Sequence, residues 1–359
     1  MSQAAYSDLK AAWHLDRIAA IREGSQVAPV ELQFILSDLC NQDCFFCAYR
    51  SEIGLSQEQF VEHKDGKRIH NPNRMIPKAK ALEILNDAAS MGVKSVIFTG
   101  GGEPTVHPHH MELFEHALKL GLKCSLNTNG IVLRKGWEDV LPRFTYVRVS
   151  VDAGSAEDYA RVRRVKPESY QKALDHLTQM AELCGANGCL VGTGFVVTPD
   201  NYENLVEGVR NIRRTGASYV RLASMQSTEG LAPYGDNVEL VRDHILAAME
   251  EETETFKVVN LFDVAMGKVA AGPFCGMQQF VLYIGANLKV YRCCYTAYTE
   301  LGEIGSLAEQ SFYEWFHSEQ KKRAIDEFDA RDCGICPLEH KNATIRYMID
   351  PAPTHVEFV

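Results

Sequence analysis

Glu31-Leu-Gln-Phe-Ile-Leu-Ser37 and Val93-Lys-Ser-Val-Ile-Phe-Thr99 decide the fold. Both are short apolar runs of strand character. The second stops dead at Gly100-Gly101-Gly102-Glu103-Pro104, a turn that neither a helix nor a strand would carry through. Outward from these runs, helical spacing covers 77–91, where Pro77 suits a first helical turn, and 108–120. Strands are expected at 123–127, 145–151, 190–197 and 218–223, and helices at 167–183 and 202–215. Strands alternating with helical crossovers predict a parallel α/β sheet. Repeated right-handed crossovers curl it into a partial (β/α)6 TIM-like barrel, whose chemistry belongs at the C-terminal ends of the strands.

Hydrophobic residues make up 46% of the 359-residue chain and charged residues 23%, the balance of a globular protein. Lys and Arg number 37 against 47 Asp and Glu, a net charge of −10. Such a balance argues against a strong sequence-independent grip on nucleic acid. It leaves room for a local basic patch from Lys64, Lys67, Arg68, Arg161, Arg163 and Arg164. No apolar run is long enough to span a bilayer, and 1–24 reads as an amphipathic helix rather than a secretory signal. A cytoplasmic location is expected. In that reducing setting the 11 cysteines point to metal sites rather than disulfides.

The cysteines are grouped. Cys40-Asn-Gln-Asp-Cys44-Phe-Phe-Cys47 follows the first strand directly. A [4Fe–4S] cluster normally takes four thiolates, so three on one loop leave one iron open to an external chelate. Zinc is the alternative, with His63 or His70 completing the set. Cys275, Cys293, Cys333 and Cys336 form the second group. A hairpin of strands 280–284 and 288–292, turning at Gly285-Ala286-Asn287, makes neighbours of Cys275 and Cys293. A helix over 307–328 leads to the Cys333/Cys336 pair. Four thiolates suit [4Fe–4S] or zinc. Cys294 could replace Cys293, which the spacing from Cys275 prefers. Cys124, Cys184 and Cys189 read as small buried apolar residues.

The C-x3-C-x2-C spacing, with the aromatic Phe46 before its third cysteine, resembles the radical S-adenosylmethionine (SAM) superfamily. The resemblance implies that SAM chelates the open iron and is split reductively to a 5′-deoxyadenosyl radical that takes a substrate hydrogen. It implies SAM contacts from Gly100, Gly101, Gly102, Glu103 and Pro104, which look like the motif for the methionyl amino group. Ser150 and Asp152 are similar to a ribose-binding pair, and Arg163 stands where a basic residue meets the SAM carboxylate, with Arg161 and Arg164 as neighbouring alternatives. Asn127, in Asn127-Thr128-Asn129-Gly130, could reach the same cavity or simply make a turn. His107, His109 and His110 read as structural or exposed.

The second cysteine group resembles the twitch domain, the short form of the SPASM extension. No cysteine follows Cys336, so one auxiliary [4Fe–4S] cluster is implied, making two clusters with SAM as the cofactors. The expected organisation is a helical extension at 1–30, the barrel at 31–230, a linker at 231–270, a small hairpin/helix iron–sulfur domain at 271–340 and a tail at 341–359. The polar stretch 48–75 is a lid or a solvated loop. Twitch relatives imply a small polar molecule, a nucleotide or a peptide as substrate, and a flavodoxin-like or other reductant as partner. Residues 36–50 are also similar to radical SAM proteins of bacteriophage DNA hypermodification, which implies an isomerase acting on an amino-acid-modified thymine. The auxiliary cluster would accept an electron in an oxidation, bind or orient substrate, or assist a redox-neutral rearrangement. A non-enzymatic iron–sulfur or zinc protein is the reading from another class, but an electron carrier has no use for the GGGEP and Ser-x-Asp motifs.

Overall fold

The computed structural model of the chain describes residues 7–49, 60–227, 229–263 and 269–354. Its strands are β1 (Glu31–Ile35), β2 (Phe60–Glu62), β3 (Arg68–His70), β4 (Ser95–Thr99), β5 (Lys123–Thr128), β6 (Tyr146–Ser150), β7 (Leu190–Val197), β8 (Tyr219–Ser224), β9 (Lys257–Asn260), β10 (Val281–Ile284), β11 (Lys289–Tyr291) and β12 (Glu303–Ser306). Its helices are α1 (Leu15–Arg22), α2 (Lys78–Ser90), α3 (His110–Lys119), α4 (Trp137–Val140), α5 (Ala156–Arg163), α6 (Glu168–Ala186), α7 (Leu205–Arg214), α8 (Val238–Met249), α9 (Phe312–Phe316), α10 (Glu319–Asp326) and α11 (Glu339–Ile349).

One sheet runs in the order β12-β11-β10-β1-β4-β5-β6-β7-β8-β9 and does not close on itself. From β10 through β1 to β9 each neighbouring pair is parallel. The architecture is the partial TIM-like barrel that alternating strands and helices dictate. Alternation along each strand sends one set of side chains under the helices: Leu32 and Phe34, Val96 and Phe98, Val147 and Val149 are buried with Ile84, Leu113 and Leu177 of the covering helices. The intervening Glu31 and Gln33 of β1 and Arg221 of β8 line a cavity instead.

Several expectations change. The 231–270 stretch holds α8 and β9, and β9 adds a further parallel strand beside β8. Its four residues are too short to announce themselves by pattern. The hairpin β10–β11 pairs antiparallel, as expected, but its first strand also lies parallel along the free edge of β1, with Glu31 opposite Val281 and Phe34 opposite Ile284. The helix expected over 307–328 is a short loop followed by two helices, because Ser311 and Ser318 each cap a fresh start, accepting from the backbone N–H of Glu314 and Lys321. The 1–24 helix breaks at His14 into a 3-10 turn, Asp8–Trp13, and α1; residues 1–6 lie outside the described residues. The expected tail contains α11, whose Ile345 joins Ile18 of α1 and Phe280 in a small core that packs the two ends of the chain together. Within 48–75, β2 and β3 form a hairpin, and residues 50–59 lie outside the described residues. Among the described residues no helix is long and apolar enough to cross a membrane.

Candidate functional site

The first cysteine loop leaves β1 and is held from three sides. Ser37 bridges Met75, and the Asp38 N–H donates to Arg74 O at 2.9 Å. From β4 comes the Gly100–Pro104 turn: the Gly102 N–H donates to Ser37 O at 3.1 Å and the Glu103 N–H to Leu39 O at 2.9 Å. A Cβ on Gly102 would sit 2.2 Å from Leu39 O and 2.6 Å from Ser37 O, so only glycine lets the two backbones approach this closely. From α5 comes the third support. Its last carbonyls point at the loop, and the Asp43 and Phe45 N–H groups donate to Arg163 O and Val162 O at 3.1 and 3.2 Å. Those carbonyls would otherwise be the unpaired acceptors of a helix end.

Glu103 is 3% exposed, and its carboxylate organises the end of β5. It accepts from the Thr105 N–H, the Thr105 hydroxyl, the Thr128 hydroxyl and the Asn129 N–H at 2.6–3.1 Å. Asn129, absent from the sequence-derived set, donates its side-chain amide to Asn41 Oδ1 at 2.6 Å and lies 3.9 Å from Cys40 Sγ. Asn127 donates to Thr99 Oγ1 at 3.1 Å, and its Oδ1 is buried without a partner. Ser150 ends β6, half-buried.

Asp152 and Arg163 are bonded to each other. Asp152, in the left-handed region at φ 39°, is 1% exposed. It binds Arg163 through one oxygen and accepts from the Val196 N–H at 2.6 Å through the other. Arg163 is 3% exposed, pairs with Asp152, donates to Gln42 Oε1 and stands 5.1 Å over the Tyr159 ring. Its Nε is buried without a partner. Burial works against its charge, but Asp152, Tyr159 and Cys44 outweigh it and hold the guanidinium charged. The neighbouring Arg161 pairs with Asp158 at 2.6 Å. His107 and His110 are structural: their ring N–H groups donate to Ile76 O at 2.9 Å and His107 O at 2.7 Å.

The three thiols act on one another. Burial pushes Cys40 up, with Glu103 and Cys44 adding to it. Burial pushes Cys44 up to about 12 against the pull of Arg163. Such thiols ionise only when a cation supplies the missing charge. Among the described residues no three of His, Cys, Asp or Glu converge on a single-ion site. His63 is paired with Asp65 at 2.9 Å, and His70 is buried with Nδ1 3.1 Å from Asp38 O, so neither is turned to complete a zinc set. The donor set, the glycine cradle and the orphaned Asn127 Oδ1 and Arg163 Nε fit an iron–sulfur cluster chelated by a polar external ligand.

The second cysteine group is assembled by strand-like pairing at the module's base. The Ala271 N–H donates to Gly334 O, Cys336 N–H to Val269 O and Ala330 N–H to Pro273 O, which sets Cys275 against Cys333 and Cys336. Cys275 feels Cys293, Cys336 and Cys333, and burial pushes it up to about 12. Cys294 instead feels Cys293, Glu31 and Arg221 and faces the barrel. The Asn342 amide reaches Cys336 Sγ at 3.6 Å, and the Thr296 hydroxyl reaches Cys293 Sγ at 3.4 Å. Arg292, 8% exposed, also escaped sequence reasoning. It stacks 3.7 Å over Phe328 and donates to Gln278 and Ala324 O, placing a cation beside three of these thiols. A basic residue directly before a cysteine pair was its only signal.

Comparison with known proteins bears on the barrel. Residues 34–210 match the family model of the Radical SAM superfamily. The chain is 26% identical over 151 residues to the tungsten-containing aldehyde ferredoxin oxidoreductase cofactor-modifying protein of Pyrococcus furiosus, covering 40% of this chain and 42% of that one. It is 28% identical over 184 residues to the PqqA peptide cyclase of Gluconobacter oxydans, covering 47% and 50%. The chain therefore spans about half the length of these curated relatives. Streptococcus suis SuiB bound to S-adenosylmethionine shares the fold, with a TM-score of 0.61 at 16% identity over 98% of this chain and 81% of that one. SuiB has also been solved with its precursor peptide SuiA. Residues 34–210 of this chain carry a radical SAM domain.

Proposed function

We propose that this enzyme abstracts a hydrogen atom from a substrate seated between two cysteine-bound [4Fe–4S] clusters, one at Cys40, Cys44 and Cys47 and an auxiliary one at Cys275, Cys293, Cys333 and Cys336, within a twitch-like module spanning about 271–340. The first cluster with SAM supplies the 5′-deoxyadenosyl radical, and every other contribution comes from the chain itself. The backbone of Gly100–Gly102 and the polar end of β5 orient the methionyl part of SAM. Arg163, kept charged by Asp152, sets a fixed positive charge against the Cys44 loop, and its Nε is the donor left for a SAM carboxylate. Asn129 steadies the Cys40 thiolate. The observation that carries the reading is the bonding of the Gly102–Glu103 backbone to Ser37 and Leu39, because it presents a glycine cradle and three thiols to one space.

The substrate side is the cavity of about 640 Å³ that reaches from Glu31 and Gln33 of β1 and Arg221 of β8 to Cys293, Cys294 and Tyr295. That volume suits a small molecule or a residue or two of a peptide. The names of the relatives point to two substrate classes: the PqqA peptide cyclase and the SuiA complex to a peptide, the probable GTP 3′,8-cyclase of Saccharolobus islandicus to a nucleotide. The test is anaerobic reconstitution with iron and sulfide counting, then an assay for 5′-deoxyadenosine from SAM under dithionite. Two clusters' worth of iron with product is expected. Product surviving the change of Cys40, Cys44 and Cys47 to Ala would refute the reading.

A further inference from the structure

Gln278 is 3% exposed, and its Oε1 accepts from Arg292 Nη1 at 2.8 Å. A guanidinium only donates, so the atom facing it is the amide oxygen and the orientation of the amide is settled. The other atom, Nε2, is buried with no acceptor among the described residues. A buried donor left in that state calls for a receiver. Gly276 already has helical backbone, at φ −68° and ψ −34°, so Cys275 and Gln278 stand one turn apart at the start of the 3-10 turn Met277–Gln279. Arg292 is the residue before Cys293. The Gln278 side chain therefore joins the segment that carries Cys275 to the one that carries Cys293. A second amide is arranged likewise. Asn342 of α11, 2% exposed, accepts the Met277 N–H at 2.9 Å on Oδ1 and turns Nδ2 to Cys336 Sγ at 3.6 Å. Arg292 adds charge. Besides Gln278 it donates to Leu301 O at 3.0 Å and Ala324 O at 2.8 Å, all neutral oxygens, whereas Arg163 is matched by the Asp152 carboxylate.

We propose that the Gln278 amide donates its free N–H to a sulfur of the auxiliary cluster, with Arg292 as the positioning residue that holds it there, and that the pair raises the reduction potential of that cluster. This assignment deepens the proposed function and rests on it for the presence of a cluster at Cys275, Cys293, Cys333 and Cys336. The physical case is electrostatic. Reduction adds an electron to the cluster, so an N–H aimed at its sulfur and a buried cation behind that N–H both favour the reduced form. The low dielectric around a side chain this buried strengthens both effects. Asn342 shows the same device already made toward a thiol of the group, with its oxygen held by the backbone and its nitrogen left for sulfur.

An EPR-monitored redox titration tests this on the full chain carrying Cys40→Ala, Cys44→Ala and Cys47→Ala, reconstituted anaerobically so that the second group alone supplies the signal. Gln278→Met removes the donor at similar size. It should make reduction ~10-fold less favourable, the value of one hydrogen bond to a charged group, which is a fall of ~59 mV for a one-electron couple. Gln278→Glu keeps an acceptor for Arg292 and puts an anion where the N–H was, so its potential should fall further. Arg292→Gln should also lower the potential, and Arg292→Lys should keep part of it. Iron content and thermal midpoint separate these shifts from lost folding. A potential unmoved in both Gln278 variants assigns Nε2 to an ordered water and overturns the proposal. If neither variant takes up iron, side-chain amide 15N-glutamine labelling of the parent chain decides: a 15N coupling to the reduced cluster supports the bond, and its absence overturns it. A parent chain that takes up zinc or no metal sinks the auxiliary cluster and this inference together, whereas a normal cluster signal with unmoved potentials sinks this inference alone.

Discussion

Replacing Gly102 by Ala tests whether the cofactor cradle depends on two backbones in contact. The added methyl would lie 2.2 Å from Leu39 O, 2.6 Å from the Asp38 carbonyl carbon and 2.6 Å from Ser37 O. All three are backbone atoms of the loop that carries Cys40, so no side-chain rotation relieves the clash. Overpacking of this kind costs ~1–3 kcal/mol. Separating the strands also weakens the hydrogen bonds from Gly102 to Ser37 and from Glu103 to Leu39, ~1 kcal/mol each. Together they amount to ~3–5 kcal/mol, which taken from cofactor binding lowers SAM affinity at least ~100-fold. Equilibrium dialysis of SAM against the reconstituted protein reads the affinity, and iron content and thermal midpoint read the damage to the loop. Gly185→Ala is the control: it lies in the last turn of α6 with nothing within 4 Å of its would-be Cβ, and should stabilise the helix by up to ~1 kcal/mol. Full iron and unchanged SAM affinity in Gly102→Ala would refute the cradle.

Asp152→Asn should destabilise the chain by ~3–5 kcal/mol in urea unfolding, since it strands the buried Arg163 charge, and Asp152→Leu with Arg163→Met together should cost less than the sum of the single changes. Lys321, 4% exposed over the Phe316 ring, is held down at about 8 by burial. Its folded value lies below its ordinary 10.5, so the unfolded chain binds more protons between the two. Stability should therefore rise by up to ~3 kcal/mol as pH climbs through that window, a rise absent from Lys321→Met in unfolding curves across the range. Cys293→Ser should lower iron and sulfide to the content of one cluster while Cys294→Ser leaves both at wild-type levels; the opposite pattern would reassign the ligand.

The barrel was legible because its signal is local. Apolar runs ending in Gly100–Pro104 or Asn127–Gly130 mark strand ends whatever lies around them. The missing pieces are relations between distant segments. Nothing in Val281–Ile284 says that it will pair with β1, since any exposed parallel edge would serve. Nothing in Ala156–Arg163 says that its last carbonyls will cap the loop at Asp43 and Phe45. Asp152 matched a motif by position, and nothing in that motif says that its carboxylate will meet Arg163 and the Val196 N–H. Asn129, quoted only as part of a turn, and Arg292 were given no role for the converse reason: each is an ordinary residue until folding sets it beside a thiol.

Asp38 shows why the two cysteine groups belong to one structural unit. It is fully buried two residues before Cys40, accepts from the Tyr298 hydroxyl at 2.6 Å and pairs with Arg74 at 3.2 Å. Tyr49, two residues after Cys47, packs its ring 5.6 Å from Tyr298 and shares a hydrogen bond with Tyr283 of β10 at 3.3 Å. Tyr291 of β11 closes the cluster at 5.2 Å from Tyr298. The hairpin that leads into Cys293 is therefore bonded through buried phenols to the loop that carries Cys40, Cys44 and Cys47. Breaking that contact would leave a buried carboxylate short of a donor, a cost of ~1–3 kcal/mol, in addition to opening the β1–β10 ladder. The separation of the two thiol groups is thus a property of the core and needs no help from a linker.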